Sequence, residues 1–283
     1  YVFIHREASP IGPPFFEWIT AKIAKKKIIY DFDDAIWLPN VSDGNKKLEW
    51  LKNYKKTEDI IRVADAVIAG NTYLKNYALQ FNDQVTIIPT TIDTDYHIPV
   101  NNEDGGDKNK LCIGWTGSHT TIKHFELIIP ALKKLKEKYK DIIYFKLIGD
   151  DGFFDQSLNL KGIKWQKETE IEDLQEIDIG IMPLPDDAWS RGKCGFKGLQ
   201  YMALEIPAIM SPVGVNIEII EHGINGYLAA TNEEWFEKLC LLIEKPDLRT
   251  KLGKEGRKTV IEKYSVTSQK ETYLNVFNNV LRV

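Results

Sequence analysis

The sequence predicts an α/β protein of two units, and three observations predict it. Short β-branched runs alternate with longer amphipathic stretches along the chain, the pattern of parallel strands with helices on their faces. One polar run, Asn101-Asn102-Glu103-Asp104-Gly105-Gly106-Asp107-Lys108, interrupts the alternation and contains no apolar residue, as a linker does. The length, 283 residues, suits two domains better than one. These signals divide the chain into a first domain at 1–100, a linker at 101–109, a second domain at 110–265 and a terminal helix at 266–283.

Each element has a local reason. Tyr1–Ile4 is a buried-type strand. Pro13-Pro14 opens a helix whose apolar positions are Phe15, Phe16, Ile19 and Ile23, because proline suits a first helical turn. Lys25-Lys26-Lys27 closes it, where cations complement the dipole. Ile28–Tyr30 is the next strand and runs into Asp31-Phe32-Asp33-Asp34. A helix over Asn45–Ala64, a strand at Ala66–Ala69, a helix at Thr72–Leu79 and a strand at Val85–Ile88 complete the first domain. The second domain starts with a strand at Leu111–Gly114, then a helix at Phe125–Tyr139 and strands at Ile142–Ile148 and Ile163–Trp165. Helix Ile171–Gln175, strand Ile177–Met182, helix Phe196–Leu204, strand Ala208–Met210 and helix Asn216–His222 follow. Gly223 stops that helix, and Asn225-Gly226 marks a tight turn. Helices at Trp235–Glu244, Leu248–Lys263 and Thr267–Arg282 end the chain.

Composition excludes several classes. With 43% hydrophobic and 28% charged residues the chain is neither disordered nor collagen-like. A net charge of -4 argues against nucleic acid as a partner. The three cysteines, Cys112, Cys194 and Cys240, fit no zinc spacing and read as thiols of a reducing, cytoplasmic compartment. No apolar run approaches the roughly 18–20 residues that span a bilayer. Two lysine-rich helical segments with nearby aromatics, Lys22/Lys25/Lys26/Lys27 and Lys46/Lys47/Lys52/Lys55/Lys56, fit peripheral contact with an anionic membrane face and fit plain solvated faces equally well.

Three stretches carry residues suited to chemistry. Trp115-Thr116-Gly117-Ser118-His119 joins a strand to a helix, where small residues expose backbone N–H groups to an anion. Neither a Gly-x-Gly-x-x-Gly fingerprint nor a P-loop occurs, so a nicotinamide enzyme is disfavoured. Arg191-Gly192-Lys193-Cys194-Gly195-Phe196-Lys197-Gly198 packs three cations and three glycines before a helix. Cations at a helix N-terminus oppose its dipole unless an anion sits there, so a diphosphate is the natural guest. At two strand ends in the first domain lie His5-Arg6-Glu7 and Asp31-Phe32-Asp33-Asp34. Open α/β sheets place ligands at such ends, which points His5 and Asp31 toward a cleft; the aspartates also read as turn caps rather than metal ligands.

The second domain resembles the donor half of GT-B glycosyltransferases, family 4 of the retaining enzymes (glycosyl transferases group 1). The resemblance lies in Ile181-Met182-Pro183-Leu184, in Lys193 to Ala203, in Ile206-Pro207-Ala208-Ile209-Met210-Ser211 and in Pro212 to Leu228 with its Asn-Gly hairpin. In the first domain Ile88-Pro89-Thr90-Thr91-Ile92-Asp93 is similar to the family's Ile-Pro-Asn-Gly-Val-Asp. The resemblance implies two Rossmann-like domains facing a cleft, a nucleotide-sugar donor (UDP- or GDP-linked) on the second, a glycan or lipid-linked acceptor on the first, and no required metal. It implies retention of anomeric configuration, surface polysaccharide or lipopolysaccharide as product, and work at the inner face of the membrane. It also implies that the first domain is truncated by about 70–80 residues before Tyr1, the size of a βαβαβ half, and that the terminal helix packs back on that domain.

Carried over residue by residue, the resemblance assigns Lys123 to the donor phosphates, with the usual arginine replaced near Ser118. The family's Glu-x7-Glu pair falls on Gly192 and Gln200, neither a carboxylate. Gln200 retains a donor and an acceptor for a ribose hydroxyl. Arg191, Lys193 and Lys197 are expected to replace the absent arginine together, and Gly117, Gly195, Phe196 and Trp165 to complete the donor site. His5 is the expected cleft histidine, with Asp31 beside it as the second catalytic residue. The missing carboxylates keep two other readings open, a non-catalytic nucleotide-sugar binding protein and another GT-B enzyme such as a nucleotide-sugar epimerase.

Overall fold

The computed structural model describes residues 1–9, 11–39, 53–99 and 110–281. The linker at 101–109, the lysines Lys46, Lys47 and Lys52, and the first part of the helix expected over Asn45–Ala64 lie outside the described residues. The elements in chain order are β1 (Val2–His5), α1 (Phe15–Trp18, continued by one wide turn at Ile19–Ile23), β2 (Ile28–Phe32), α2 (Lys56–Val63), β3 (Ala66–Ala69), α3 (Thr72–Ala78) and β4 (Val85–Ile87). Next come β5 (Leu111–Thr116), α4 (Ile122–Glu126), α5 (Ile129–Tyr139), β6 (Ile143–Ile148), β7 (Phe154–Asp155), β8 (Leu160–Lys161), α6 (Glu170–Gln175) and β9 (Ile179–Met182). The chain continues through α7 (Ala188–Arg191), α8 (Phe196–Ala203), β10 (Ala208–Met210), α9 (Asn216–Ile219), β11 (Tyr227–Leu228), α10 (Asn232–Glu244), α11 (Pro246–Thr259) and α12 (Val266–Leu281).

Two compact units result. The first comprises Tyr1–Thr90, Asp186–Cys194 and Thr267–Val283; the second comprises Thr91–Pro185 and Gly195–Val266. The segment Asp186–Cys194, which the sequence assigns to the second domain, therefore groups with the first. Hydrogen bonds put it there: Asn71 Nδ2 donates to the carbonyls of Gly192 and Lys193, both at 3.1 Å.

In the first unit β1-β2-β3-β4 form one parallel sheet. The strand period of two sorts its core. Ile28, Tyr30 and Phe32 of β2 and Val67 of β3 face Ile60, Ile61 and Leu74 of the helices. Ile29 and Ile68 face the opposite way, onto Val276 and Val280 of α12. Full burial of each such isoleucine contributes about 1.5–3 kcal/mol. Helix α1 reverses the expected polarity. Phe15, Phe16, Trp18 and Ile23 are exposed, whereas Glu17 is buried and accepts the Ala8 N–H at 2.9 Å. The carboxylate is drawn inward by an otherwise unpaired loop amide, so the apolar residues are left outside.

The second unit holds a parallel sheet in the order β11-β10-β9-β5-β6 and a small antiparallel pair, β7-β8. Three expectations need correction. The helix expected over Phe125–Tyr139 is two helices, because Pro130, in the first turn of α5, cannot donate to the turn before it. The strand expected at Ile163–Trp165 is a single bridge, Ile148 to Ile163, since Lys164, Trp165 and Gln166 are exposed and bring no apolar face. Asn225-Gly226 does not close a hairpin; Tyr227 pairs with Ile209 in parallel, a pairing that needs the α9 crossover.

Candidate functional site

At the C-terminal ends of β1 and β2 the first unit gathers a charge network. His5 Nδ1 lies 2.7 Å from Asp31 Oδ2, with Nε2 3.9 Å from Asp33 Oδ1. Arg6, at φ +60, donates Nε to Asp33 at 2.7 Å and Nη2 to Asp34 at 2.9 Å. Lys193 Nζ donates to Asp34 Oδ1 at 2.8 Å and lies over the Trp189 ring. Burial raises the Asp31 pKa, opposed by the His5 bond. Burial pushes Asp33 the same way, but the Arg6 bond and charge overrule it and hold Asp33 below its ordinary value. Among the described residues no group of three or more His, Cys, Asp or Glu is placed to hold a metal ion.

The second unit builds a different site where β5 ends and α8 begins. Gly195 precedes helix α8 at φ +73, a left-handed conformation that favours glycine, and Ile219 packs where its Cβ would be. No side chain caps this helix, so its first turn, Phe196, Lys197 and Gly198, has the orphan amides of a helix N-terminus, a kind of position that suits an anion. Tyr201 Oη accepts the Thr116 N–H at 2.9 Å and fixes the β5 loop against α8. Lys197 reaches over this loop. Its Nζ is 4.4 Å from the Trp115 ring centroid and 3.5 Å from Thr121 Oγ1. A Cβ on Gly117 would lie 2.7 Å from that Nζ and 2.1 Å from the Trp115 ring, so the ammonium and the glycine turn are in close approach. Ser118 and Thr121 shape the turn, with Ser118 N–H donating to Thr121 Oγ1 at 3.1 Å. Beneath Gly195, Asn216 is fully buried; Nδ2 donates to the Ser211 carbonyl, and Oδ1 has no partner among the described residues.

One turn further along α8, Gln200 is 3% exposed. Its Nε2 donates to Glu170 Oε1 at 3.1 Å and lies 3.4 Å from His97 Nε2. Trp165 Nε1 donates to the same Glu170 oxygen at 3.1 Å.

The residues expected in one donor site are thus divided. Gly117, Ser118, Gly195, Phe196 and Lys197 come together in the second unit, with Trp165 and Gln200 joined through Glu170. Arg191 and Lys193 do not belong to this group. Arg191 is exposed and paired with Asp186 at 2.8 Å, and Lys193 is paired with Asp34, so each of these two expected cations has a carboxylate partner within the first unit. The cause is local: Gly192 fits against Ala35, where a Cβ would meet the Ala35 nitrogen at 2.9 Å, and this carries residues 191–193 onto the first unit. Lys123 is exposed on α4. Sequence reasoning missed Glu170, His97 and Asn216. Glu170 stands among Glu168, Glu172 and Asp173, and nothing in the spacing separates it from them.

Residues 110–245, most of the second unit together with the segment Asp186–Cys194, match the family described as glycosyl transferases group 1. Among curated proteins, a probable sucrose-phosphate synthase of Thermosipho melanesiensis is 27% identical over 218 residues, covering 73% of this chain and 50% of that protein. The chain spans about half the length of the curated relatives it matches first. Among solved structures, Anabaena HepE in complex with UDP and glucose superposes with a TM-score of 0.71 at 16% identity, covering 92% of this chain and 73% of that one. TarM of S. aureus, in complex with fondaparinux, alpha-GlcNAc-glycerol and UDP, superposes with a TM-score of 0.67 at 18% identity, covering 93% and 54%. The shared fold is that of GT-B glycosyltransferases, built of Rossmann-like units.

Proposed function

From the match of residues 110–245 to glycosyl transferases group 1, we propose that the chain moves a hexose from a UDP- or GDP-sugar to an acceptor hydroxyl with retention of configuration. The observation that carries this reading is the α8 N-terminus, where uncapped amides, the Gly117 turn and Lys197 meet. As the glycosidic bond breaks, negative charge grows on the leaving diphosphate. Fixed amides and an ammonium stabilise that charge more than the ground state, which is what accelerates the step. The acceptor hydroxyl attacks the anomeric carbon, and its proton passes to the departing phosphate oxygen. No metal is asked to act. In the first unit Asp31 fixes the tautomer of His5 by taking the Nδ1–H, leaving Nε2 to orient a sugar hydroxyl.

UDP is supported as the donor nucleotide by the HepE complexes, and a glycan acceptor by the TarM complex. Surface polysaccharide or lipopolysaccharide assembly on the cytoplasmic side is the setting we propose. No described helix is long and apolar enough to cross a membrane. The outward face of α1 supports peripheral contact instead: Phe15, Phe16, Trp18 and Ile23 are exposed beside exposed Lys22, Lys25 and Lys26.

The test is a transfer assay with UDP- and GDP-sugars against glycan acceptors, read by NMR for free nucleoside diphosphate and the new anomeric linkage. Retained configuration is expected, and an inverted product contradicts the mechanism. A second reading, a non-catalytic nucleotide-sugar binding protein, is favoured by the absence of a carboxylate at Gly192 and Gln200. Donor binding without transfer or hydrolysis decides for it.

A further inference from the structure

We infer that Lys56 is a positioning residue of the first unit. Its buried ammonium clamps the loop between β1 and α1 and so holds the backbone turn that presents His5 and Arg6. The inference rests on the role proposed above for His5 and adds the residue that keeps it in place.

Lys56 opens α2 and is 2% exposed. Its Nζ donates to the Ser9 carbonyl at 2.5 Å and to the Ile11 carbonyl at 3.3 Å, and lies 3.4 Å from Glu7 Oε2. An ammonium has three donors, and three oxygens of one loop take them. From α1, the buried Glu17 accepts the Ala8 N–H at 2.9 Å. Two buried charges on two helices therefore grip Glu7, Ala8, Ser9 and Ile11.

Helix α2 gains nothing from this cation. At its first position a positive charge opposes the helix dipole, and burial adds a desolvation cost. The loop is what gains. Arg6 sits at φ +60, a conformation that residues with a side chain disfavour and that persists only where the surroundings fix it. The Arg6 N–H donates to the Asp31 carbonyl at 2.7 Å, and the Glu7 N–H donates to the His5 carbonyl at 2.9 Å. The chain thus reverses directly after the strand end, and Lys56 holds the next side chain, Glu7. This turn sends the Arg6 guanidinium to Asp33 and Asp34 while the His5 ring rests on Asp31. Glu7 and Ile11 are exposed and Ser9 is half-buried, so water can take over their oxygens when the cation is removed. Loss of Lys56 therefore costs the core little and costs the loop its anchor.

The test pairs amide hydrogen exchange with transfer kinetics in the 283-residue chain, using the donor and acceptor that the transfer assay above finds active. In Lys56→Met, exchange across residues 6–9 should rise about tenfold or more, while β2 and β3 keep wild-type protection, which also shows that the variant is folded. Its kcat should fall about ten- to a hundredfold, the scale of a reacting group held out of place. Donor KM and pyrophosphate affinity should stay within about twofold of wild type. Lys56→Arg, which keeps a cation, should recover part of both changes. Glu7→Gln, which weakens one of the three contacts at an exposed carboxylate, should move both readouts the same way by less. Unchanged exchange in Lys56→Met overturns the clamp, and raised exchange with unchanged kcat overturns its positioning role; either result leaves the transferase reading standing. No transfer by the wild-type chain overturns that reading itself, and the role given to His5 with it.

Discussion

The strand ends of the first unit and the α8 junction of the second use the same residue types to opposite ends. At the strand ends the cations described have carboxylate partners, Arg6 with Asp33 and Asp34 and Lys193 with Asp34, and on α7 Arg191 pairs with Asp186. At α8 the cation lies over an indole ring and a hydroxyl, beside amides that no side chain caps. Charge that is matched by carboxylates holds backbone in place. Charge set beside a helix N-terminus without a side-chain cap is what the proposed anion site rests on. Three cations within seven residues of sequence therefore do two jobs, and the boundary between them is the break between Cys194 and Gly195.

The largest expected effect comes from the receptor side. Gly117→Ala places a methyl 2.1 Å from the buried Trp115 ring. The ring or the turn must shift, at a cost of about 1–3 kcal/mol. We expect a lower Tm by calorimetry together with weakened pyrophosphate binding. An unchanged Tm would mean that the turn does not hold this close approach. A smaller effect is expected on the compensated side. Lys193→Ala leaves Asp34 with Arg6 as its remaining partner, and stability should fall by about 1 kcal/mol with nucleotide affinity unchanged within about threefold. A large loss of affinity would return Lys193 to the donor site.

The smallest effect is a pH dependence. Arg6 holds Asp33 below its ordinary carboxylate value of 3.8 against the upward push of burial. A lowered carboxylate contributes stability above its unfolded pKa and loses it as the pH falls through the folded one. The Tm difference between wild type and Arg6→Gln should therefore be constant from about pH 7 to about pH 5 and close below roughly pH 4. A gap that persists in acid would show that Arg6 stabilises by packing rather than by charge.

Much of the fold was legible because strand and helix periods are local. β2 shows this: Ile28, Tyr30 and Phe32 face one core and Ile29 the other, as alternation requires. The α1 polarity was not legible, because Glu17 answers an amide at Ala8 that periodicity does not contain. The close approach of Gly117 and Lys197 has a local signal, since glycine and cation at a strand-to-helix junction stand out in sequence. Glu170 has none. It meets Gln200 across 30 residues, and one glutamate in an acidic segment looks like the next. The pairing of Lys193 was not legible for the same reason: its partner, Asp34, lies 159 residues away.

The most direct measurement is a calorimetric titration of inorganic pyrophosphate into the wild-type chain, Lys197→Ala and Lys193→Ala, side by side. Lys197→Ala should lose about ten- to a hundredfold in affinity, as removal of a charge-assisted hydrogen bond does, while Lys193→Ala binds like wild type. Equal losses in both variants, or a loss confined to Lys193→Ala, would contradict the assignment of the anion site to the start of α8.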